Sequence, residues 1–391
     1  MTSTLALHTD FPQRDAYGSI AMPVYHTCAY QFDDAQSMTE AFSGRSGMPD
    51  YSRVMNPTVT HLEDTVRALT HAKSVTALSS GMAAISNILL ALTAQGKNIV
   101  TSAHMFGNTY ALLTRTLRRF GVETRIVDMT DVQAVRRAID DQTACLFLEI
   151  VTNPQLEVAD VTALGEIARS HRVPLVADTT FLPFTEFDGE ALGIDIQVVS
   201  STKYLSGGAT SLGGLIIDYG HYPETERCIK QELLFNLGAY MTPHAAYMQT
   251  LGLQTLQVRY RQQSANALRV AQGLASLPGI THVGYIGLPS HPQHQLAQRL
   301  YGPTGGAMIT FDLPDEASCF RCIDRLQLIL RATNLFDIKS LAIHPYSTIF
   351  VNYSAAEKAA MDVLPTTIRL SIGLEDPEDI IADIISSLRE R

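Results

Sequence analysis

The sequence predicts an α/β protein with a larger lobe built on a mostly parallel sheet and a smaller α+β lobe at the carboxyl end. With 391 residues, the chain is long for one hydrophobic core and is expected to divide into two lobes. From about residue 59 to about residue 240, short β-branched or apolar runs alternate with stretches of helical periodicity. This order is typical of parallel strands joined by helices. Beyond residue 240 a long helical stretch replaces the alternation and indicates the second lobe.

We divide the chain into an N-terminal arm over residues 1–58, an α/β domain over 59–240 and a C-terminal α+β domain over 241–391. The arm is rich in Pro, Gly and Tyr and is expected to be irregular. In the α/β domain, periodicity predicts helices over 61–70, 82–94, 109–120, 131–139 and 161–170, and strands over 74–78, 98–102, 122–127, 144–150, 174–178 and 194–199. In the C-terminal domain it predicts a helical stretch over 243–275, strands near 283 and 308, a helix over 317–330, a strand over 367–372 and a final helix from Asp376-Pro377.

The composition is that of a soluble globular protein that does not bind nucleic acid or an anionic membrane. Apolar residues make up 46% of the chain, charged residues 17%, and the formal net charge is −10. Both polyanionic partners need a surplus of basic residues. Four arginines do cluster near the end of a predicted helix, where cations suit the helix dipole, and we interpret them as a solvated helix end: Arg115, Arg118, Arg119 and Arg125.

No targeting or membrane segment is predicted. The stretch over 74–96 carries no charge, but Ser79-Ser80-Gly81 interrupts it, which favours a strand followed by a helix over a membrane span. The first eight residues have neither the basic start nor the apolar core of an export signal. We therefore expect a cytoplasmic protein.

The cysteines are typical of a reducing compartment and not of a disulfide scaffold. There are five of them, an odd number, and most are scattered. Cys319 and Cys322 form one C-x-x-C pair with no second pair to complete a metal site. Because Ile323, Leu326 and Leu330 continue the same helical stripe, we expect this pair to lie in the core and expect no metal.

Three polar residues follow three successive predicted strands. Asn153 comes just after the strand over 144–150, Asp178 ends the next strand, and Lys203 follows the third. In an open α/β sheet, ligands bind in the crevice beyond the carboxyl ends of the strands, so an amide, a carboxylate and an amine should meet there. Gly81 and Met82 lie at a strand-to-helix turn, where free backbone N–H groups and the helix dipole favour a phosphate.

Lys203 lies in the stretch Ser200-Ser201-Thr202-Lys203-Tyr204-Leu205-Ser206-Gly207-Gly208. The hydroxyls of Ser200 and Thr202 suit an anionic phosphate, and an amine that is partly desolvated can become a neutral nucleophile for an aldehyde. The alternative is a lysine at a strand exit that is paired with a carboxylate.

Two further candidates have structural alternatives at this point, of equal standing for Tyr51 and Arg53, whereas for Arg369 a surface ion pair is the commoner fate. Tyr51 and Arg53 are two residues apart, so an extended backbone places both on one side, where they could grip a phosphate or pack across a subunit surface. Arg369 alternates with apolar residues in the strand over 367–372. It could anchor a substrate carboxylate or form a surface ion pair.

These separated motifs, from Tyr51-Ser52-Arg53 to Arg369-Leu370-Ser371-Ile372-Gly373-Leu374-Glu375-Asp376, resemble the cysteine and methionine metabolism family of pyridoxal 5'-phosphate (PLP) enzymes. The resemblance implies the aspartate-aminotransferase-like fold, known as fold type I. It implies PLP as cofactor and a small amino acid as substrate. It also implies a homodimer with shared active sites, and a homotetramer made of two such dimers.

The resemblance also implies a role for each motif residue. Lys203 would carry the covalently attached PLP and, with Tyr51, move protons, while Asp178 would pair with the pyridine nitrogen. The phosphate would be held by Ser200, Thr202 and the backbone of Gly81 and Met82, and from the neighbouring subunit by Tyr51 and Arg53. Asn153 would contact the phenolic oxygen of the cofactor, and Arg369, helped by Asn153 and Ser340, would bind the substrate carboxylate.

Three residues depart from the family pattern. Phe106 stands where the family usually has a tyrosine that stacks on the cofactor ring; Phe can stack but cannot donate a proton. Asn108 replaces a cysteine that is a mark of methionine γ-lyases. Thr179 stands where an asparagine usually follows the pyridine-binding aspartate, and the sequence does not indicate what this changes.

The departure at Phe106 favours a leaving group that needs no proton, such as acetate. The segments Ile338-Lys339-Ser340-Leu341-Ala342-Ile343-His344-Pro345 and Thr210-Ser211-Leu212-Gly213-Gly214 resemble the O-acetylhomoserine sulfhydrylase branch. We therefore predict γ-replacement on O-acetyl-L-homoserine or a related O-acylhomoserine with a sulfur nucleophile. The alternative is γ-elimination by a relative of methionine γ-lyase or of the cystathionine enzymes. A cofactor-binding regulator or storage protein without catalysis is a third class.

Overall fold

The structure is a computed structural model that describes residues 2–9 and 17–389. Seven strands form its larger sheet. They are β1 (Ser74–Leu78), β2 (Asn98–Thr101), β3 (Glu123–Ile126), β4 (Thr143–Glu149), β5 (Leu175–Asp178), β6 (Ile196–Val199) and β7 (Gly214–Asp218). Their order across the sheet is β1-β7-β6-β5-β4-β2-β3. β7 runs antiparallel to β1 and β6, and the other paired strands are parallel. The predicted mostly parallel sheet is confirmed.

Helices cover both faces of this sheet and continue into the second lobe. They are α1 (Thr2–His8), α2 (Ala35–Phe42), α3 (Pro57–Thr70), α4 (Gly81–Leu92), α5 (Gly107–Ala111), α6 (Val132–Ala138), α7 (Val161–His171), α8 (Pro223–Cys228), α9 (Leu234–Leu237), α10 (Pro243–Gln254), α11 (Leu256–Leu274), α12 (His294–Tyr301), α13 (Glu316–Arg325), α14 (Ala355–Ala360) and α15 (Pro377–Leu388). Along β4, Leu146 and Leu148 pack with α3 and α7, whereas Cys145 and Phe147 pack with α4. This alternation follows from the two-residue period of a strand that is buried on both faces.

A second sheet forms the C-terminal lobe. Its strands are β8 (His282–Gly284), β9 (Met308–Asp312), β10 (Leu330–Arg331), β11 (Leu341–Ile343) and β12 (Thr367–Ser371), in the order β10-β11-β12-β9-β8. Ile368 and Leu370 of β12 join an apolar core with α11, α13 and α15. Arg369 therefore lies on the opposite face, which is turned toward the larger lobe.

The structure corrects four details of the predicted elements. The arm is not wholly irregular, because α1 and α2 lie within it. β7 has no counterpart in the prediction, since Gly213-Gly214 suggests a loop where a strand begins. The stretch over 243–275 is two helices that separate at Thr255, where ψ is 4°. The helix predicted over 317–330 ends at Arg325, and Leu326 adopts extended backbone.

The two helices that separate at Thr255 differ in the lobe that they mainly contact. α10 packs against α3 and the turn Tyr204–Ser206 of the larger lobe, whereas α11 starts in the same core with Leu256 and Tyr260 and then packs against β9 and α15. The passage between lobes thus falls near Thr255. The division of the chain at 58 and 240 stays a prediction, and its residues 1, 10–16, 390 and 391 lie outside the described part of the chain.

The uncharged stretch over 74–96 forms β1 and α4, as predicted. Across residues 2–9 and 17–389, no helix combines the length and the apolar character that crossing a bilayer requires. The five cysteines are free thiols, and Cys319 and Cys322 are buried in the core of the C-terminal lobe.

Candidate active site

A cavity of about 420 Å³ lies where β4, β5 and β6 end and the C-terminal lobe covers the sheet. These neighbouring strands are parallel, so their carboxyl ends meet at one edge. The structure brings most of the predicted site residues to this cavity. Those that line it are Gly81, Met82, Phe106, Asn153, Asp178, Ser200, Thr202, Lys203 and Arg369.

The amino terminus of α4 forms one end of the cavity. Ser80 caps the helix, and its hydroxyl accepts the N–H of Ala83 at 3.1 Å. A Cβ built on Gly81 would lie 2.6 Å from the Cβ of Ser200, so only glycine allows the helix start to approach this loop so closely. The first-turn N–H groups lack intrahelical acceptors, and together with the helix dipole they favour a phosphate.

Lys203 follows β6 in a turn that leads to a short helical segment, Tyr204–Ser206. Its Nζ donates to Oδ1 of Asn334 at 3.0 Å. Burial, together with the charge of Arg369, lowers the pKa of Lys203 to about 8 against the opposing effect of Asp178. The lowered pKa favours the uncharged amine, which is the form that attacks an aldehyde.

Two carboxylates lie side by side at the strand ends. Asp178 and Glu149 are register partners on β5 and β4. Burial raises the pKa of both groups, and the charge of Asp178 adds to the effect on Glu149. Asp178 accepts the N–H of Thr180 at 2.9 Å. A cationic ring nitrogen beside Asp178 would favour its ionised form, so this pair suits a pyridinium.

Arg369 is buried, with 2% of its surface exposed. Its Nη1 donates to Oδ1 of Asn153 at 2.9 Å, and its Nη2 lies 3.3 Å from the carbonyl oxygen of Thr333. Its Nε is buried without a hydrogen-bond partner among the residues that the structure describes, and burial lowers the pKa of Arg369 to about 10. The alternative of a surface ion pair is therefore wrong. A buried guanidinium with an unmet donor, facing a cavity, fits an anionic ligand.

Phe106 precedes α5 and forms part of the cavity wall with Asn108 and Ile349. Its backbone N–H donates to Oε1 of Glu149 at 2.6 Å. No tyrosine lines the cavity among the residues that the structure describes. Leu335 and Phe336 extend the apolar wall, and the Phe336 ring stacks on Tyr204 at 4.2 Å between centroids.

Three of the predicted residues do not line this cavity. Ser340 is buried, and its hydroxyl donates to Oε2 of Glu375 at 2.8 Å while it accepts the N–H of Gly373 at 2.9 Å. The structure thus gives Ser340 a place in the loop that supports β12 and no contact with the substrate cavity. Tyr51 is 43% exposed, and the guanidinium of Arg53 donates to the carbonyl oxygen of Phe235. Both arm residues lie away from the cavity of their own chain.

The structure also shows what Thr179 does. It is fully buried beside Asp178, and its hydroxyl donates to Oε1 of Gln197 at 2.8 Å. Gln197 donates in turn to the hydroxyl of Tyr219 at 2.5 Å. Thr179 is therefore part of a hydrogen-bond chain within the sheet and does not line the cavity.

Sequence reasoning missed two polar groups of the cavity region, Glu149 and Asn334. Glu149 ends β4 four residues before Asn153, so the strand-end rule that selected Asn153 and Asp178 would have found it. Asn334 lies in a loop of the C-terminal lobe, and nothing in its sequence surroundings indicates that it contacts Lys203.

These groups fit an aldehyde cofactor with a phosphate tail. The cavity offers a lysine with a lowered pKa, a buried carboxylate, a helix amino terminus opened by Gly81 and a buried guanidinium whose Nε has no partner among the described residues. Fold and site together define a fold type I PLP enzyme that acts on an amino acid.

The chain belongs to the family described as Cys/Met metabolism PLP-dependent enzymes, whose model matches residues 3–389. PLP is therefore its cofactor. A solved structure from Campylobacter jejuni, a candidate O-acetylhomoserine (thiol)-lyase, is similar with a TM-score of 0.95 and 32% identity over 100% of both chains. That structure contains N'-pyridoxyl-lysine-5'-monophosphate.

Curated relatives with different reactions are similar to this chain at nearly equal identity. The L-methionine gamma-lyase of Pseudomonas putida is 35% identical, over 99% of this chain and 97% of the relative. The O-succinylhomoserine sulfhydrylase of Mycobacterium tuberculosis is 33% identical, over 96% of this chain and 93% of the relative. Relatives at this level of identity therefore include both γ-lyases and sulfhydrylases.

Proposed function

We propose that this enzyme catalyses γ-replacement on O-acetyl-L-homoserine or a related O-acylhomoserine, with sulfide or a thiol as nucleophile, to give homocysteine or a related product. The observation that carries the proposal is Phe106 in the cavity wall, with no tyrosine among the described lining residues. A poor leaving group such as a thiolate needs a proton from a general acid, whereas acetate departs as the anion.

The residues that would hold PLP are those at the strand ends and at the start of α4. Lys203 would attach it covalently, Asp178 would pair with its pyridine nitrogen, and Asn153 would contact its phenolic oxygen. Ser200, Thr202 and the backbone of Gly81 and Met82 would hold its phosphate. When bound, PLP supplies an electron-withdrawing ring that weakens the bonds at the substrate Cα.

The chain's own groups would then bind the substrate and move protons. Arg369, oriented by Asn153, would bind the α-carboxylate as a charge-assisted pair. Lys203, with its lowered pKa, would take the proton from Cα and transfer protons at neighbouring carbons. We leave Ser340 out of the carboxylate contact because its hydroxyl is already donated to Glu375.

The charges of the cavity support an uncharged acyl group. Among the described lining residues, the cations are Lys203 and Arg369, and the anions are Glu149 and Asp178. Both cations already have a proposed role, since Lys203 would attach PLP and Arg369 would bind the α-carboxylate. A succinyl or phosphoryl group would bring a further negative charge beside the apolar wall of Leu335, Phe336 and Ile349, and burying an unpaired charge is costly. Acetyl carries no such charge.

We further propose that the active unit is a homodimer in the cytoplasm, with two dimers forming a tetramer. Exposed Tyr51 and half-buried Arg53 lie outside the cavity of their own chain. In the dimer, the partner subunit's Tyr51 and Arg53 would reach the phosphate, and Tyr51 would be a second proton donor.

γ-Elimination is the second candidate function, favoured by the similarity to the Pseudomonas putida L-methionine gamma-lyase. One steady-state comparison separates the two. The purified enzyme is given O-acetyl-, O-succinyl- and O-phosphohomoserine, cystathionine and methionine, each with and without sulfide, and homocysteine is scored against 2-oxobutyrate. We expect homocysteine from O-acetylhomoserine with sulfide to dominate. Release of 2-oxobutyrate from methionine or cystathionine at a comparable rate would replace our proposal with the lyase alternative.

A further inference from the structure

Glu149 has an unusual environment for a buried carboxylate. It is 8% exposed, and both of its oxygens accept backbone N–H groups: Oε1 from Phe106 at 2.6 Å and Oε2 from Asn153 at 3.0 Å. Among the described residues, the charge that shifts its pKa is that of Asp178, which is also negative. Burying a carboxylate without a cation costs free energy. Its two backbone contacts are what the molecule gains in return.

These two contacts lie on different walls of the cavity. Phe106 opens the segment that continues into α5 and forms part of the apolar wall. Asn153 accepts the hydrogen bond of Arg369, which comes from β12 in the other lobe. Glu149 thus connects, within one side chain, the aromatic wall and the guanidinium that faces the cavity.

A glutamine at this position would fit the same space but not the same contacts. A carboxylate presents acceptors on both sides, whereas an amide presents one acceptor oxygen and one NH₂ donor. One of the two backbone N–H groups would then face a donor. The local consequence would be a shift of either the Phe106 segment or the Asn153 turn.

We propose that Glu149 is a positioning residue that holds Phe106 in the cavity wall and, through Asn153, aligns Arg369 for the substrate carboxylate. This inference rests on the proposed roles of Phe106 and Arg369. It is independent of whether the enzyme performs γ-replacement or γ-elimination, since both need the same alignment of the amino acid.

A matched control exists at the opposite end of the sheet. Asp195, which precedes β6, is equally buried at 8% exposure, and its Oδ2 accepts the N–H of Leu175 on the neighbouring strand at 2.8 Å. Asp195→Asn therefore removes a buried carboxylate that binds backbone, at a distance from the cavity. Any effect of Glu149→Gln beyond that of Asp195→Asn belongs to the site.

The experiment measures binding of L-norvaline, an amino acid without a γ-leaving group, to the holoenzyme as an inhibition constant. The visible circular dichroism of bound PLP and the thermal unfolding midpoint are recorded alongside. We expect Glu149→Gln to weaken norvaline binding by about tenfold or more, as for loss of a charge-assisted contact, and to change the dichroism. Asp195→Asn should lower the unfolding midpoint and leave both site readouts unchanged.

Glu149→Asp, which keeps the carboxyl group but shortens the reach, provides the second variant if glutamine is not tolerated. We expect it to weaken norvaline binding to an intermediate degree with PLP content retained. Parental norvaline binding in either Glu149 variant, or an equal loss in Asp195→Asn, would overturn the positioning role. Failure of the proposed function would show up separately, as release of 2-oxobutyrate from methionine or cystathionine by the parent enzyme at a rate comparable to homocysteine formation, while norvaline still binds.

Discussion

The carboxylates near the two ends of strand β4 have opposite environments. Just before the amino end, Asp140 accepts the side chain of Asn98 at 2.9 Å and the N–H of Gln142 at 2.9 Å, and it pairs with Arg125 at 2.7 Å. These donors, Asn98 first, lower the pKa of Asp140 to about 2. The charged groups at this edge are therefore paired with partners of opposite charge or with hydrogen-bond donors, and they are open to solvent.

At the carboxyl end of the same strand, the charges are buried and poorly matched. Burial raises the pKa of Glu149 and Asp178 and lowers that of Lys203 and Arg369. Arg369 even retains a buried donor without a partner. The amino edge thus contributes stability, whereas the carboxyl edge keeps groups that a cofactor and a substrate complete.

The largest expected effect that tests this comparison comes from paired arginine variants. Arg369→Ala removes the unpaired guanidinium and should lower kcat/KM for the amino acid substrate by about 10²–10³-fold, because a charge-assisted carboxylate contact is lost. Arg125→Ala at the amino edge should leave kcat/KM unchanged. Steady-state kinetics with O-acetylhomoserine checks both, and similar losses in the two variants would contradict the functional division of the sheet.

A smaller effect is expected from restoring a phenol to the carboxyl edge. Phe106→Tyr should raise elimination of cystathionine relative to the O-acyl reaction by ~10²-fold, because a general acid would supply the missing proton. Release of 2-oxobutyrate is measured against formation of homocysteine. An unchanged ratio would show that Phe106 does not decide the leaving group.

The active site at the carboxyl edge is also expected to require residues from a second subunit, whereas the amino edge is expected to require none. Lys203→Ala and Arg53→Ala subunits, each inactive alone, should recover activity when mixed, since one of the two sites in a hybrid dimer is intact. With random exchange, roughly one quarter of the sites would be restored. Subunit exchange is followed by mass spectrometry of the intact assembly, and exchange without recovery would exclude a shared site.

The smallest effect concerns the pH dependence of stability at the amino edge. The folded-state pKa of Asp140 lies below its usual value of 3.8, so its contribution is present above that value and is lost as the pH falls toward 2. Asp140→Asn should therefore lower the unfolding midpoint at mildly acidic pH and lose this difference in stronger acid. Thermal unfolding across that range tests it, and activity near neutral pH should not change.

The convergence of Asn153, Asp178 and Lys203 was predictable from sequence because the carboxyl ends of parallel strands meet at one edge. The buried environment of Arg369 was not predictable in this way. Strand alternation shows which face it occupies, but only the packing of the second lobe against the first decides between solvent and a cavity.

Ser340 and strand β7 mark the same limit. Ser340 resembles a substrate contact in sequence, yet its hydroxyl is donated to Glu375, a partner that lies 35 residues away along the chain. Strand β7 was missed because it begins at Gly214, and a glycine pair reads locally as a turn. Pairing with β1 and β6 makes this segment a strand, and such tertiary pairing is not encoded in a local pattern.

The central claim is that the cavity at the carboxyl edge holds PLP on Lys203. The most direct test is to reduce the yellow holoenzyme with borohydride, digest it and locate the pyridoxyl group by mass spectrometry. We expect loss of the visible absorbance band and a single modified peptide that carries the group on Lys203. An adduct on any other lysine would contradict the site, and with it the roles given to Asp178, Asn153 and Arg369.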